Sequence, residues 1–198
     1  MLSFSLIAIT TQLLLNSPQS SHSLSQPVTI SQAEVNSSRV IFSGAQGEYT
    51  CSVAVTGDLD SIWTVLTDYD NFAEYMPNVV ESKLIHTQGN QKVFTQVQIF
   101  RLLLLSIRSQ VTIDTTEDYP REIKFTLVDG NLKHLNGSWT IRPMSSNRFL
   151  VTHKVSVEPN LESSDLRAVF FNVYEDTLKK TLEVVRQEAE KRSFELGR

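Results

Sequence analysis

Apolar and polar side chains alternate along most of the central part of the chain, which predicts a domain built largely of β-strands. Between Val79 and Val157 apolar residues recur at about every second position, the period of a strand with one buried face. Short turn sequences divide the region into six predicted strands, over residues 79–86, 92–100, 103–115, 121–128, 133–142 and 148–157. Connections this short favour an antiparallel meander with one wet side.

The clearest strand pair surrounds the turn sequence Asp129-Gly130-Asn131. These three residues tolerate the left-handed backbone of a tight hairpin, so the flanking strands are expected to be antiparallel neighbours. Their apolar positions are Ile123, Phe125, Leu127, Leu135, Gly137, Trp139 and Ile141. Because each strand has one apolar face, the pair is expected to form a single apolar wall.

Three helices and one more strand are predicted outside this region. A strand over residues 48–55 stops at Gly57-Asp58, and Asp58 is placed to cap a first short helix. A second short helix is predicted over residues 71–76, and Asp68-Tyr69-Asp70 before it is expected to end the first helix and cap the second. Residues 164–191 contain neither Gly nor Pro and repeat apolar side chains at steps of three and four. They therefore predict a long amphipathic helix that covers the dry face of the sheet.

This order of elements resembles the START-like, or helix-grip, superfamily. Two motifs carry the resemblance: Trp63-Thr-Val-Leu-Thr-Asp-Tyr, followed by Pro77, and Gly130 with the Gly137-Ser-Trp139 that follows it. Both are similar to signatures of the polyketide cyclase/dehydrase and coenzyme Q-binding START-type branch. The resemblance implies an α+β helix-grip fold, with a seven-stranded antiparallel curved sheet around a long C-terminal helix and two short helices after the first strand.

Composition and charge exclude several classes of function. The chain has 198 residues, 40% apolar and 20% charged, and a net charge of −4 without a basic run, which argues against nucleic-acid binding. Its one cysteine, Cys51, cannot form an internal disulfide. The four histidines are dispersed, and no metal-binding motif is present. We therefore predict no metal site, no cofactor and no catalytic residue, and favour a protein that is not an enzyme.

The N-terminal region differs from the rest of the chain and predicts an export-like segment over residues 1–42, ahead of a domain over residues 43–198. Residues 2–15 are largely apolar, and residues 16–38 are rich in Ser, Gln, Asn and Pro, the order found in a signal segment and its linker. No Lys or Arg precedes the apolar part. An exported or membrane-associated protein is the favoured interpretation, and a buried helix in a cytoplasmic protein is the alternative.

The resemblance also implies an elongated apolar cavity between the sheet and the last helix. The side chains expected to contact a ligand there are Val97, Ile99, Phe125, Trp139, Phe149, His153, Phe170, Tyr174 and Leu178. His153 stands on a dry strand face, where it is either a hydrogen-bonded core residue or a partner for a ligand oxygen. Leu103 and Leu104, bordered by Arg101 and Arg108, are expected either to contact a membrane surface or to pack at strand ends.

The sequence as a whole favours binding, and carriage, of a hydrophobic small molecule such as a lipid, a quinone or another isoprenoid. Weak chemical selectivity is expected, because burial of apolar area provides most of the attraction. Two alternatives stay open: a cyclase- or aromatase-like enzyme with His153 or Tyr174 as its acid/base group, and an interaction module whose cavity is filled by its own side chains.

Overall fold

The computed structural model describes residues 39–102, 105–145 and 147–197, and its fold is the predicted helix grip. The elements are β1 (Ile41–Ala45), β2 (Glu48–Thr56), α1 (Leu59–Thr67), a 3-10 turn (Tyr69–Asn71), α2 (Phe72–Tyr75), β3 (Val79–Gln88), β4 (Gln91–Leu102), β5 (Leu105–Asp118), β6 (Glu122–Gly130), β7 (Leu132–Ser145), β8 (Arg148–Pro159) and α3 (Ser164–Leu196). The export-like segment and the Leu103-Leu104 pair lie outside the described residues, apart from the segment's last few residues. None of the described helices is long and apolar enough to cross a membrane.

The sheet has the order β1-β2-β8-β7-β6-β5-β4-β3, with every neighbouring pair antiparallel. It therefore contains eight strands where the sequence predicted seven. The additional strand, β1, is only five residues long and begins two positions before the predicted start of the domain. Gly44 interrupts its side-chain pattern with a φ of +112°, and a Cβ there would collide with the carbonyl oxygen of Glu48. The two-residue period is too short at this point to predict a strand.

Three aspartates, Asp58, Asp68 and Asp70, flank α1 and make hydrogen bonds or ion pairs there. Asp58 caps the helix as predicted, since its side chain accepts hydrogen bonds of 2.7 Å from the backbone N–H and the hydroxyl of Ser61. Asp68 and Asp70 cap neither the 3-10 turn nor α2 through their side chains. Asp68 instead pairs with Arg192 of α3 at 3.0 Å, and Asp70 accepts a hydrogen bond from the backbone N–H of Leu84. The predicted capping role of this pair is therefore wrong, because both carboxylates join elements distant in sequence.

The C-terminal half of α3 packs tightly on α1 and β2, a region that we call the packed end. Its central side chains have no exposed surface: Val53, Val55, Ile62, Val65, Leu182, Val185 and Ala189. Hydrogen bonds close its rim, from the backbone N–H of Asp58 to the Ser193 hydroxyl at 2.9 Å and from that of Thr56 to Glu190 at 3.1 Å. The other half of α3 covers a cavity.

Candidate functional site

The candidate site is a cavity of about 150 Å³ between the concave face of the sheet and the N-terminal half of α3. Strands β4 to β8 supply its walls and floor, α3 supplies its cover, and the short helical segments after β2 close one side. We call this region the cavity end. Most of its lining is apolar, and among the described residues no Asp, Glu, Lys or Arg side chain lines it. Such a site favours uncharged, hydrophobic molecules.

Six of the nine predicted ligand-contact residues line this cavity. They are Phe125, Trp139, His153, Phe170, Tyr174 and Leu178. The β6–β7 pair supplies the apolar wall that its sequence predicted, with Phe125 opposite Gly137 and Ile123 opposite Trp139. Gly137 leaves room for the Phe125 side chain, because a Cβ at this position would lie 2.6 Å from the Phe125 ring. Contact of the six residues with a ligand stays a prediction.

The predicted contact positions on β4 differ by one residue from the positions that line the cavity. Val97 and Ile99 lie outside the cavity lining, whereas Phe94, Gln96, Gln98 and Phe100 belong to it. Apolar side chains occupy both faces of this strand, so its sequence pattern does not determine which face is inward. The signal that could have identified the inward face is a pair of large aromatic residues, Phe94 and Phe100, at the two ends of that face.

Phe149 is the third predicted contact residue that the structure places elsewhere. It shares a face of β8 with His153, but it is paired with Val55 of β2 and Pro143 of β7. Phe149 packs against the hydrophobic core without reaching the cavity lining. The sequence predicted the correct face of β8, whereas the distance of each residue along the strand from the cavity depends on the tertiary structure.

His153 is a buried imidazole held between aromatic rings. Its ring lies 3.9 Å from that of Trp139 at an interplanar angle of 18°, and 5.5 Å from that of Phe125. Desolvation lowers its pKa from 6.5 to about 3, although the nearby Ser138 carbonyl opposes this shift. The ring is therefore neutral near pH 7. Its Nδ1 atom is buried and has no hydrogen-bond partner among the described residues, so one polar group at the wall is unpaired.

Tyr174 and Cys51, two other ionisable groups near the cavity, are also held in their neutral forms. Burial raises the pKa of the Tyr174 hydroxyl, and the neighbouring Tyr49 raises it further. Burial likewise raises the pKa of the Cys51 thiol to about 12, against an opposing effect of Lys179. A protonated, fully buried thiol is a poor nucleophile. The cavity thus combines neutral polar groups with aromatic surface. His153 and Tyr174, the candidates for acid/base chemistry, are both uncharged.

Tyr69 of the Thr67-Asp68-Tyr69 motif connects the helical corner to the cavity wall. Its hydroxyl donates to Glu117 at 2.7 Å and lies 3.2 Å from the Thr115 hydroxyl, while its ring stacks on Phe94 at 4.6 Å. The backbone carbonyl of Tyr69 accepts a further hydrogen bond from Ser82. The motif therefore acts as a structural corner that fixes one side of the cavity.

The sheet opens beside the cavity, between β6 and β7. The two strands are paired from Glu122–Thr140 only as far as Thr126–Asn136. Towards the turn, β6 continues on β5 up to Gly130, and β7 pairs with β8 from Leu132. Asn131 holds the turn on the β5 side, because its side chain accepts from the Gln110 N–H at 2.9 Å and donates to the Arg108 carbonyl at 2.8 Å. Since Leu132 and Leu135 line the cavity, the opening lies next to it.

Comparisons with known proteins agree with this geometry. The family described as polyketide cyclase/dehydrase and lipid transport matches residues 55–183. No curated protein matches the chain. Among solved structures, the Zhui aromatase/cyclase of Streptomyces sp. R1128 superposes with a TM-score of 0.65 and 18% identity, over 73% of this chain and 94% of that one. A STAR-related lipid transfer protein of Xanthomonas axonopodis gives 0.62 and 16%, over 76% and 92%. At these identities the structural matches establish the fold.

Proposed function

Because the chain belongs to the polyketide cyclase/dehydrase and lipid transport family, we propose that it binds and carries a hydrophobic small molecule in the cavity beneath α3. The observation that supports this most directly is the apolar cavity itself, with aromatic walls and no charged lining residue. Transfer of an apolar ligand from water to such a site is favourable by about 25 cal/mol per Å² of surface buried. A lipid, a quinone or another isoprenoid has the required chemistry.

The size of the cavity adds a condition to this proposal. Its volume of about 150 Å³ is smaller than the roughly 300–1,000 Å³ of common ligand pockets. A single-ring molecule fits such a space, whereas a longer cargo needs side chains to move. Phe100 of β4 and Phe170 of α3, whose rings lie 6.4 Å apart, face each other across the sheet–helix boundary. Their rotation, together with the opening between β6 and β7, would lengthen the cavity.

The second candidate function is a cyclase-like reaction in the same cavity. Its support is the matched family, together with the presence of both His153 and Tyr174 in the lining. The protonation states argue against it, since burial lowers the pKa of His153 to about 3 and raises that of Tyr174. General acid–base catalysis is most efficient when the catalytic pKa lies near the working pH. Binding without turnover is therefore the better-supported function.

Native mass spectrometry and organic extraction of the purified protein test the proposal. We expect a bound hydrophobic molecule that is released on denaturation. Thr181→Leu should reduce its occupancy, because Thr181 lines the cavity and a larger apolar side chain fills it. Lys180→Leu is the matched control, since Lys180 is exposed on the same helix. A ligand-free protein with both variants equivalent would support the interaction module, and turnover of a supplied polyketide or quinone precursor would support the enzyme.

His153 is proposed as a polar contact for the ligand. The support is its unpaired, buried Nδ1 atom and its place in the cavity lining. His153→Leu should therefore reduce the amount of co-purified ligand while the protein remains folded. If the variant retains both its thermal stability and its bound ligand, the contact role is abandoned and His153 is a core residue.

Export and membrane contact remain separate proposals. A reporter fused to residues 1–42 and expressed in a bacterium should appear outside the cytoplasm, and a wholly cytoplasmic reporter would refute export. Leu103→Glu and Leu104→Glu should each weaken flotation of the protein with liposomes, because a charged side chain opposes insertion into the interface. Flotation equal to that of the wild type would refute membrane contact.

A further inference from the structure

Two glutamine side chains face the cavity from the same side of β4. Gln96 and Gln98 alternate with outward-facing residues, so both amides are directed to the concave face of the sheet. Gln98 is paired with Ser109 of β5, and Gln96 with Val111. His153 lies on β8, and β7, β6 and β5 separate the two strands in the sheet order. The glutamines thus form a second polar position in a largely apolar lining.

Neither glutamine side chain makes a hydrogen bond within the part of the chain that the structure describes. Gln96 is 9% exposed and Gln98 is half-buried, and no amide atom of either residue is among the buried side-chain atoms that lack a hydrogen-bond partner. A primary amide carries two donor hydrogens and an acceptor oxygen, and an interior amide left unpaired costs free energy. The two amides therefore keep accessible surface and unused hydrogen-bonding capacity at the cavity lining.

Several other polar groups of the lining already have partners. The Ser109 hydroxyl donates to Asn131 at 3.3 Å. The Thr177 hydroxyl donates to the carbonyl of Val173 at 2.8 Å and accepts from Asn78 at 2.9 Å. The Thr181 hydroxyl donates to the Thr177 carbonyl at 2.9 Å. These bonds hold the walls in place, whereas the two glutamine amides remain available to an occupant of the cavity.

We propose that Gln96 and Gln98 bind an uncharged oxygen group, a hydroxyl or a carbonyl, on an otherwise hydrophobic ligand. An amide can donate to a carbonyl and both donate to and accept from a hydroxyl. A carboxylate or phosphate would lack a positively charged partner, since no Lys or Arg in the described part of the chain lines the cavity, and a buried charge without such a partner is strongly disfavoured. This inference rests on the proposed hydrophobic-ligand function and narrows it to neutral, oxygen-bearing molecules.

The test uses three single-ring probes of similar size: toluene, p-cresol and p-toluate. Their binding to the purified protein at pH 7.5 is measured by ligand-observed NMR titration. The wild type should bind p-cresol. Its affinity for p-toluate should be at least tenfold lower than its affinity for p-cresol. Gln96→Met and Gln98→Met keep side-chain length but remove the amide. Each substitution should lower the affinity for p-cresol about tenfold, which is the effect of one net hydrogen bond. The affinity for toluene should be unchanged or higher.

Gln110→Met is the matched control, because Gln110 is exposed on the neighbouring strand, and it should change none of the three affinities. Circular dichroism and melting temperature establish that each variant is folded. Because two single variants are made, the proposal can still be tested if one of them does not fold. If toluene and p-cresol bind but both glutamine variants keep the wild-type affinity for p-cresol, or if p-toluate binds as well as p-cresol, the glutamine proposal is wrong and the hydrophobic-ligand function stands. If no probe binds, both are wrong.

Discussion

The two halves of α3 contact the same sheet but do so in different ways. At the packed end, Leu182, Val185 and Ala189 have no exposed surface and interlock with α1 and β2. At the cavity end, Phe170, Tyr174 and Thr177 lie over a space of about 150 Å³. Both halves are amphipathic in sequence, so the helix pattern alone does not distinguish them.

The difference lies in what each half packs against. The helix α1 follows β2 directly and fills the space under the C-terminal half of α3, with Ile62 and Val65 fully buried. No described α-helix fills the corresponding space under the N-terminal half, where strands β4 to β8 curve away from α3. Close packing is the default for protein interiors, so the unfilled half is the one that a ligand can use. One end stabilises the fold, and the other is available for binding.

The largest expected effect comes from a pair of identical substitutions one helical turn apart. Leu182→Ala removes a side chain from the fully packed end and should reduce the free energy of unfolding by about 3–5 kcal/mol. Leu178→Ala enlarges a space that already exists, so its loss should be nearer to 2 kcal/mol. Urea denaturation monitored by circular dichroism measures both values. Equal losses would mean that the cavity end is packed as tightly in solution as the other end.

A smaller effect is expected at Gly137, which shapes the cavity wall. In Gly137→Ala the new methyl group would collide with the Lys154 carbonyl of β8 and lie 2.6 Å from the Phe125 ring. A loss of about 1–3 kcal/mol in unfolding free energy is expected, together with weaker ligand binding as Phe125 moves. Gly89→Ala is the control, because no atom lies within 4 Å of a Cβ at this position. Its φ of +58° should still reduce the free energy of unfolding by about 1 kcal/mol. Unchanged ligand binding in Gly137→Ala would show that the wall is not part of the site.

The smallest effect is a pH dependence that arises from His153. Burial lowers its pKa from 6.5 to about 3, so between these values the unfolded state binds a proton that the folded state does not. Stability should therefore be fully present above about pH 6.5 and fall as the pH decreases, with a slope of at most about 1.4 kcal/mol per pH unit. Melting temperatures between pH 7.5 and 5.5 measure it, a range over which the loss is at most about 1.4 kcal/mol. His153→Gln should flatten the curve relative to wild type, whereas His134→Gln, at an exposed position, should not.

Local sequence patterns predicted most of the fold because each strand and helix carries its own period. The β6–β7 pair shows this well: turn residues and strict alternation predicted antiparallel neighbours and their apolar face, and the register has Phe125 opposite Gly137. The predicted tight hairpin is wrong, because the two strands separate before the turn. The pattern failed where it was ambiguous or short. On β4 apolar residues occupy both faces, and the predicted Val97 and Ile99 lie outside the cavity lining.

The sequence by itself determined the order of the elements apart from β1, the cap at Asp58 and the inward faces that carry six of the cavity-lining side chains, since these follow from spacing along one strand or helix. Only the tertiary structure decided that the cavity lies under one half of α3, that Phe149 belongs outside it, and that Gln96 and Gln98 face inward without partners. The physical reason is that an empty space and an unpaired amide are properties of several elements together. Local periodicity records which face of an element is buried, but it does not record what the opposite wall leaves unfilled.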